Sequence, residues 1–315
     1  IDLPKMYSLS AAEGFAAGGV GFIESLGCVD MLSFGSECGE LSALREASSA
    51  CEYALHTDSF HGLMKSGYSY PAALSAVVKE LYTDDVSDVL KSPNNTLAIE
   101  YLNALDSMGS AIEPFTAARV GAAHDSDEAA EFSSASLIRK MILRGEDYSR
   151  LAPKIEAPNA DIKRLERAIL SRLREMHRED FEQLYDGANG LAERLYKAVR
   201  KAGTLDELYF LAKTKRYTLA RIRRAVLCGF LGLNKGQLLT PNAYIRVLGM
   251  NKKGKEILSA AKCSLPLDTS LKALSKTSRA AHRQAAFKER CGDLYSLAFE
   301  KPAPCGRELT AKPVI

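Results

Sequence analysis

The sequence predicts an α/β protein in two parts: a partial parallel sheet of the nucleotide-binding type, then a mostly helical, basic half. Three observations predict it. Strand-like runs alternate with helical patterns over residues 1–145, as in nucleotide-binding α/β domains. From residue 158 onward, apolar residues recur at three- and four-residue spacing. The charge divides at the same place. Residues 1–150 hold 10 Lys+Arg against 22 Asp+Glu, and residues 151–315 hold 32 against 17. A basic half beside an acidic one points to a polyanion partner, nucleic acid first, against a merely solvated helical surface.

Taken in order, IDLP at residues 1–4 reads as the end of a strand. AAEGFAAGGVGFIESLG (11–27) predicts a helix with small residues on its packing face. VDMLSFGS (29–36) predicts a short buried strand ending at Gly35. Helical patterns follow at 40–55, 58–66, 71–82 and 96–107, and IEPFTAARV (112–120) predicts a second strand. So few strands lead us to expect that an N-terminal portion is missing. A polar loop, GAAHDSDEAAEF, leads into SSASLIRKMILRG. APKIEAPNA (152–160), with two prolines, reads as a linker. Four helical runs then cover much of 162–233. The spacing weakens after 266, and KPAPCGRELTAKPVI is expected to be loose.

No apolar run approaches the roughly 18 residues of a membrane span. The seven cysteines form no CxxC, which fits scattered reduced thiols in a cytoplasmic protein. The five histidines form no HxxxH or HExxH pair, so no protein metal site is expected.

Three stretches could carry chemistry. In SPNNTLAIEYL (92–102), Pro93 fixes one backbone angle, and Ser92, Asn94 or Asn95 could cap the helix that follows. One Asn suffices for that, and a second amide could face a base or ribose. In SSASLIRK (133–140), Ser133, Ser134 and Ser136 open a helix with Arg139 one turn in. This set suits polyphosphate, or is simply a serine-capped helix with a surface Arg. In FGSE, Gly35 ends a strand where a ligand could approach the backbone, or makes a plain turn.

Together FGSECGE, SPNNTLAIEYLNAL, the Arg119–His124 loop and SSASLIRK resemble the tRNA(Met) cytidine acetate ligases, bacterial relatives of the HxGH nucleotidyltransferases. The resemblance continues through NGLAERLYKAVRKAGTLDELYFLAKTKRYTLARIRRAVL and YIRVLGMNKKGKEIL, covering residues 1–260. It implies a partial Rossmann-like nucleotidyltransferase domain over 1–150, its first strands missing, and a mostly α-helical tRNA-binding domain over 158–300. The implied activity activates acetate with ATP to acetyl-adenylate. It then acetylates the wobble cytidine of elongator methionine tRNA. ATP, with Mg²⁺, and acetate are the implied small molecules, and no protein partner is expected. Family ATP contacts would fall on Gly35, on Asn94 or Asn95, and on Arg119. Ser134, Ser136 and Arg139 would bracket the phosphates by analogy with the wider superfamily. HxGH does not occur in these residues, so no catalytic residue is assigned.

The tRNA side also has support in composition. KTKRYTLARIRR carries Lys213, Lys215, Arg216, Arg221, Arg223 and Arg224, with Tyr217 among them. Cations neutralise phosphates, and an aromatic can stack on an unpaired base. Arg246 would extend this surface. Asp125, Asp127 and Glu128 could hold magnesium through water, or form an acidic loop. Two rivals stand beside the ligase: an adenylyltransferase with a small-molecule acceptor, and a tRNA-binding relative without catalysis.

Overall fold

The computed structural model describes residues 1–119, 134–154, 158–238 and 240–314. The first half is built on two parallel strands, β1 (Met31–Ser36) and β2 (Glu113–Ala118), paired from Met31↔Glu113 to Ser36↔Ala118. Leu32 and Phe34 turn to the protein, while Met31 and Phe115 on the other face are 54% and 51% exposed. The predicted buried strand is therefore covered on one face only.

Short helix α1 (Lys5–Ser8) and long helix α2 (Ala12–Glu24) precede β1. The small residues of α2 have a packing reason. A Cβ at Gly18 would lie 2.3 Å from the Tyr7 ring. Between the strands run α3 (Leu41–Leu55), α4 (Asp58–Lys65), α5 (Tyr70–Leu81), α6 (Asp84–Val89) and α7 (Pro93–Met108). The core there joins Leu44, Phe60, Val77, Val86, Ile99 and Leu102. Sequence periodicity missed α6, a single short turn-rich element. It also began α7 three residues late, because SPNN looks like a loop when only its composition is read. α7 ends at Gly109, whose φ of 59° supplies the left-handed cap.

After α8 (Ala135–Arg144) the chain is helical: α9 (Glu166–Glu175), α10 (Arg178–Gln183), α11 (Leu191–Lys201), α12 (Leu205–Ala212) and α13 (Leu219–Leu231). Leu191, Leu195, Ala198 and Val199 put one apolar stripe of α11 into a core with Ile169, Leu173, Leu208 and Ile222. Thr204 and Thr218 cap α12 and α13 by accepting from Glu207 N and Arg221 N. The remainder is α14 (Lys235–Leu238), β3 (Ile245–Arg246), α15 (Lys252–Ala260), β4 (Leu267–Asp268), α16 (Leu271–Leu274), α17 (Arg279–Ser296) and α18 (Arg307–Thr310).

The last third holds a helix with weak apolar spacing and a tail that departs from expectation. α17 has 18 residues where the apolar spacing is weak, because it buries Ala281, Gln284, Ala285 and Lys288 as well as Phe287. The C-terminal tail is docked, not loose. Val314 N donates to Leu248 O at 3.0 Å, and Met250 N donates to Val314 O at 2.9 Å.

The two halves share cores. Met6 and Tyr7 pack with the helical residues, and Phe22 and Leu26 pack with Ile245. All seven cysteines are unpaired. Burial pushes the Cys51 and Cys291 thiols up to about 11 and that of Cys228 to about 12. Among the described residues no helix is long and apolar enough to cross a membrane.

Candidate functional site

The C-terminal ends of β1 and β2 meet the first turn of α7. Parallel pairing sets this, because both strands run toward the same end. Gly35 lies on the open face of β1, and a Cβ there would stand 3.4 Å from Arg119 Cγ. Arg119 N donates to Ser36 O at 2.9 Å, which continues the pairing past β2. Gly39 then turns the chain at φ 69°, where a Cβ would lie 2.6 Å from Ala118 Cβ. Only glycine fits that approach.

Glu37 is the residue that sequence reading missed, and it organises the site. Its carboxylate accepts from Asn94 Nδ2 at 2.6 Å, from Asn95 N at 2.9 Å and from Arg119 Nη1 at 3.3 Å. An anion is thus already placed on the first turn of α7, where unpaired N–H groups and the helix dipole favour one. Burial acts to raise the Glu37 carboxyl. The hydrogen bonds from Asn94 and Asn95 outweigh it, and the group sits below the ordinary carboxylate range. The signal for Glu37 was its place directly after the strand-end FGS.

The two asparagines divide their work. Asn95 is buried, at 3% exposure. Its Oδ1 accepts from Glu37 N at 2.8 Å and Cys38 N at 3.1 Å, and its Nδ2 donates to Val89 O at 3.1 Å. It fastens the β1–α3 turn to α7. Asn94 is half-buried and faces Glu37. Neither side chain caps α7.

Gly35, Asn94, Asn95 and Arg119 are therefore brought together. Ser134 caps α8 by accepting from Leu137 N, and Arg139 Nη2 donates to Ser136 Oγ at 3.2 Å. The link from Arg119 to Ser134 lies outside the described residues, with His124, Asp125, Asp127, Glu128 and Ser133. Among the described residues no cluster of three metal-ligating side chains forms.

The basic run divides into an exposed and an internal set. Lys213, Lys215 and Arg223 are exposed, and Arg216 is half-buried. Arg221 and Arg224 turn inward. Arg221 Nη2 donates to Asp186 O at 3.0 Å and Ala188 O at 2.9 Å, and Arg224 Nε donates to Asp186 Oδ2 at 2.8 Å. Tyr217 is buried at 6%, and its hydroxyl donates to Asn189 O at 2.6 Å. Its ring offers no stacking face in this structure. Arg246 is buried at 1%, between Glu308 and Asp2, so it does not extend the surface. The exposed aromatic beside the run is Phe210, 81% exposed and three residues before Lys213. Its neighbours Leu208 and Ala212 are buried, so the helical period of α12 forces Phe210 outward.

The HIGH Nucleotidyl Transferase family model matches residues 1–308. A tRNA(Met) cytidine acetate ligase of Syntrophomonas wolfei is 31% identical over 350 residues, covering 100% of this chain and 83% of that protein. One of Thermoanaerobacter sp. (strain X514) is 35% identical over 326 residues, covering 97% and 81%. The apo crystal structure of Thermotoga maritima TmcAL matches with a TM-score of 0.87 at 24% identity, over 99% of this chain and 83% of that one. The form bound with alpha-thio ATP matches with a TM-score of 0.83 at 25% identity, over 99% and 82%. The mixed α/β fold is thus nucleotidyltransferase-like.

Proposed function

The chain belongs to the HIGH nucleotidyl transferase family, and from that premise we propose that it is an ATP-dependent ligase acetylating the wobble cytidine of elongator tRNA(Met) in the cytoplasm. The observation that carries this reading is the meeting of Gly35, Asn94 and Arg119 around Glu37 at the ends of parallel strands. Ligands of open α/β sheets bind at such ends.

The chemistry runs in two steps. An acetate oxygen attacks the α-phosphorus of ATP, and the bond to pyrophosphate breaks, giving acetyl-adenylate. The cytidine amino nitrogen then attacks the acetyl carbonyl, AMP leaves, and the nitrogen loses a proton. Arg119 would offset charge on the phosphates, as guanidinium groups do when they can approach phosphoryl oxygens. Glu37 is a positioning residue, because it holds the Arg119 guanidinium and the Asn94 amide on one side of Gly35. Gly35 would let the nucleotide lie close on the open face of β1. Ser134, Ser136 and Arg139 would meet the phosphates from the start of α8. Magnesium would enter with the nucleotide.

For tRNA, Lys213, Lys215, Arg216 and Arg223 would meet phosphates, within a domain spanning 158–300. Phe210 takes the stacking role that Tyr217 cannot reach from the core. The test measures acetate-dependent exchange of labelled pyrophosphate into ATP, then transfer of labelled acetate to tRNA. Both signals, each lowered at least tenfold by Arg119→Ala, are expected. tRNA binding with neither signal would leave an RNA-binding relative as the better account.

A further inference from the structure

We infer that an open recess between α4 and the helical half binds a phosphodiester group of RNA. This deepens the reading of tRNA as the substrate and rests on it. The recess has a volume of about 450 Å³. α4 lines it with Asp58, His61, Met64 and Lys65, and the opposite wall carries Asn189 and Arg216. Lys65, Arg216, His61 and Asn189 therefore line one space, against the single acidic residue Asp58. Such a set suits an acceptor-rich anion.

Arg216 gives the second line of argument. Its Nε is buried and donates no hydrogen bond. Leaving a buried guanidinium N–H without an acceptor is costly, and native proteins rarely do so. The side chain as a whole is half-buried and lines the recess, so its other guanidinium nitrogens are the donors a phosphate there would meet. The same turn carries Lys213 and Lys215, both exposed, which add positive charge on the segment that holds Arg216.

The wall is also held rigidly. Asn189 has φ 60°, the left-handed conformation that Asn tolerates better than most residues. Its carbonyl accepts from the Tyr217 hydroxyl at 2.6 Å. Gly190 follows at φ 85°, and a Cβ there would lie 2.9 Å from Tyr217 Oη. Arg221 donates to the carbonyls of Asp186 and Ala188. The inward members of the basic run thus fix the turn that presents Asn189. In this arrangement RNA reaches across to the acidic half and touches Lys65.

The experiment measures tRNA affinity against salt for the whole protein and for Lys65→Gln, Arg216→Gln and Arg216→Lys. Melting temperature and acetate-dependent pyrophosphate exchange serve as controls. Lys65 is exposed and outside the basic run, so Lys65→Gln should fold and keep its exchange activity. The slope of log K against log salt should fall by about 0.7–0.9 in Lys65→Gln and in Arg216→Gln. Arg216→Lys should retain the slope. If wild-type protein binds tRNA and Lys65→Gln leaves the slope unchanged, the recess proposal is wrong while the ligase reading stands. If wild-type protein binds no tRNA, both fail. A third arm is equilibrium dialysis with inorganic phosphate. Phosphate binding that Lys65→Gln abolishes, with an unaltered tRNA slope, would assign the recess to a free anion and overturn the RNA proposal.

Discussion

Asn94 and Asn95 look alike in the sequence and differ in almost everything that matters physically. The Asn95 amide satisfies two N–H groups of the β1–α3 turn and one carbonyl of α6. Asn95→Ala should therefore lower stability by about 2–4 kcal/mol, read by urea unfolding, because buried groups lose their partners. Asn94→Ala removes one partly exposed hydrogen bond to Glu37, so it should lower the midpoint less than Asn95→Ala and weaken ATP binding. Equal destabilisation by the two changes would refute this division. Glu37 adds a pH dependence. Its folded-state pKa lies below the ordinary carboxylate value, so the unfolded chain takes up the proton first as pH falls. Its stabilising effect is full above about pH 4.5 and fades as pH drops through the depressed value. Glu37→Gln should flatten acid unfolding in that window, followed by circular dichroism.

At the scale of elements, one basic run divides into an exposed set and an inward-facing set. Lys213 and Lys215 lie exposed in the turn between the two helices α12 and α13, and the three-to-four-residue period of α13 puts Arg223 in solvent and turns Arg221 and Arg224 onto Asp186. Changing Lys213, Lys215 or Arg223 to Gln should reduce the salt slope of tRNA binding with stability retained. Arg224→Gln should instead lower the melting temperature, since it removes the guanidinium paired with a partly buried carboxylate. Phe210→Ala should weaken tRNA binding by about 1–3 kcal/mol with the slope unchanged, as loss of base stacking requires. Phe210→Trp should restore it. A filter-binding titration at three salt concentrations separates these cases. Restoration failing with Trp would remove Phe210 from the surface.

Across the whole molecule, the chain ends are tied together by buried charge. Lys288 Nζ donates to Asp2 Oδ1 at 3.0 Å, and Arg246 Nη2 donates to Glu308 O at 2.8 Å. Beside them the Lys5 ammonium sits below its usual range, through burial first and the Lys288 charge second. Removing one partner from such a cluster leaves an uncompensated charge. Arg246→Met should cost about 3–5 kcal/mol by chemical denaturation. A loss confined to tRNA affinity would return Arg246 to the RNA surface. The cluster joins segments 306 residues apart in number, Asp2 and Glu308, so no local reading could connect them.

The sequence by itself determined the acidic charge of residues 1–150, the basic charge of 151–315 and the helical periodicity after 158, because charge and periodicity are local properties. It placed both strands and the helices with long apolar stripes, it offered Gly35, Asn94 and Asn95 as candidates from two short stretches, and the family resemblance added Arg119. It could not tell which Asn is buried, nor find Glu37, since both depend on β1 and α7 meeting from 57 or 58 residues apart. It read Tyr217 as a surface aromatic and passed over Phe210, because composition does not say which way a side chain faces. It found weak apolar spacing after 266 and expected a loose tail, whereas α17 buries small and charged residues, Lys288 against Asp2 among them, and the tail is docked. Tertiary contact decided those cases. Burial of a polar group is settled by whether a distant partner arrives to satisfy it, and that is a property of the folded chain alone.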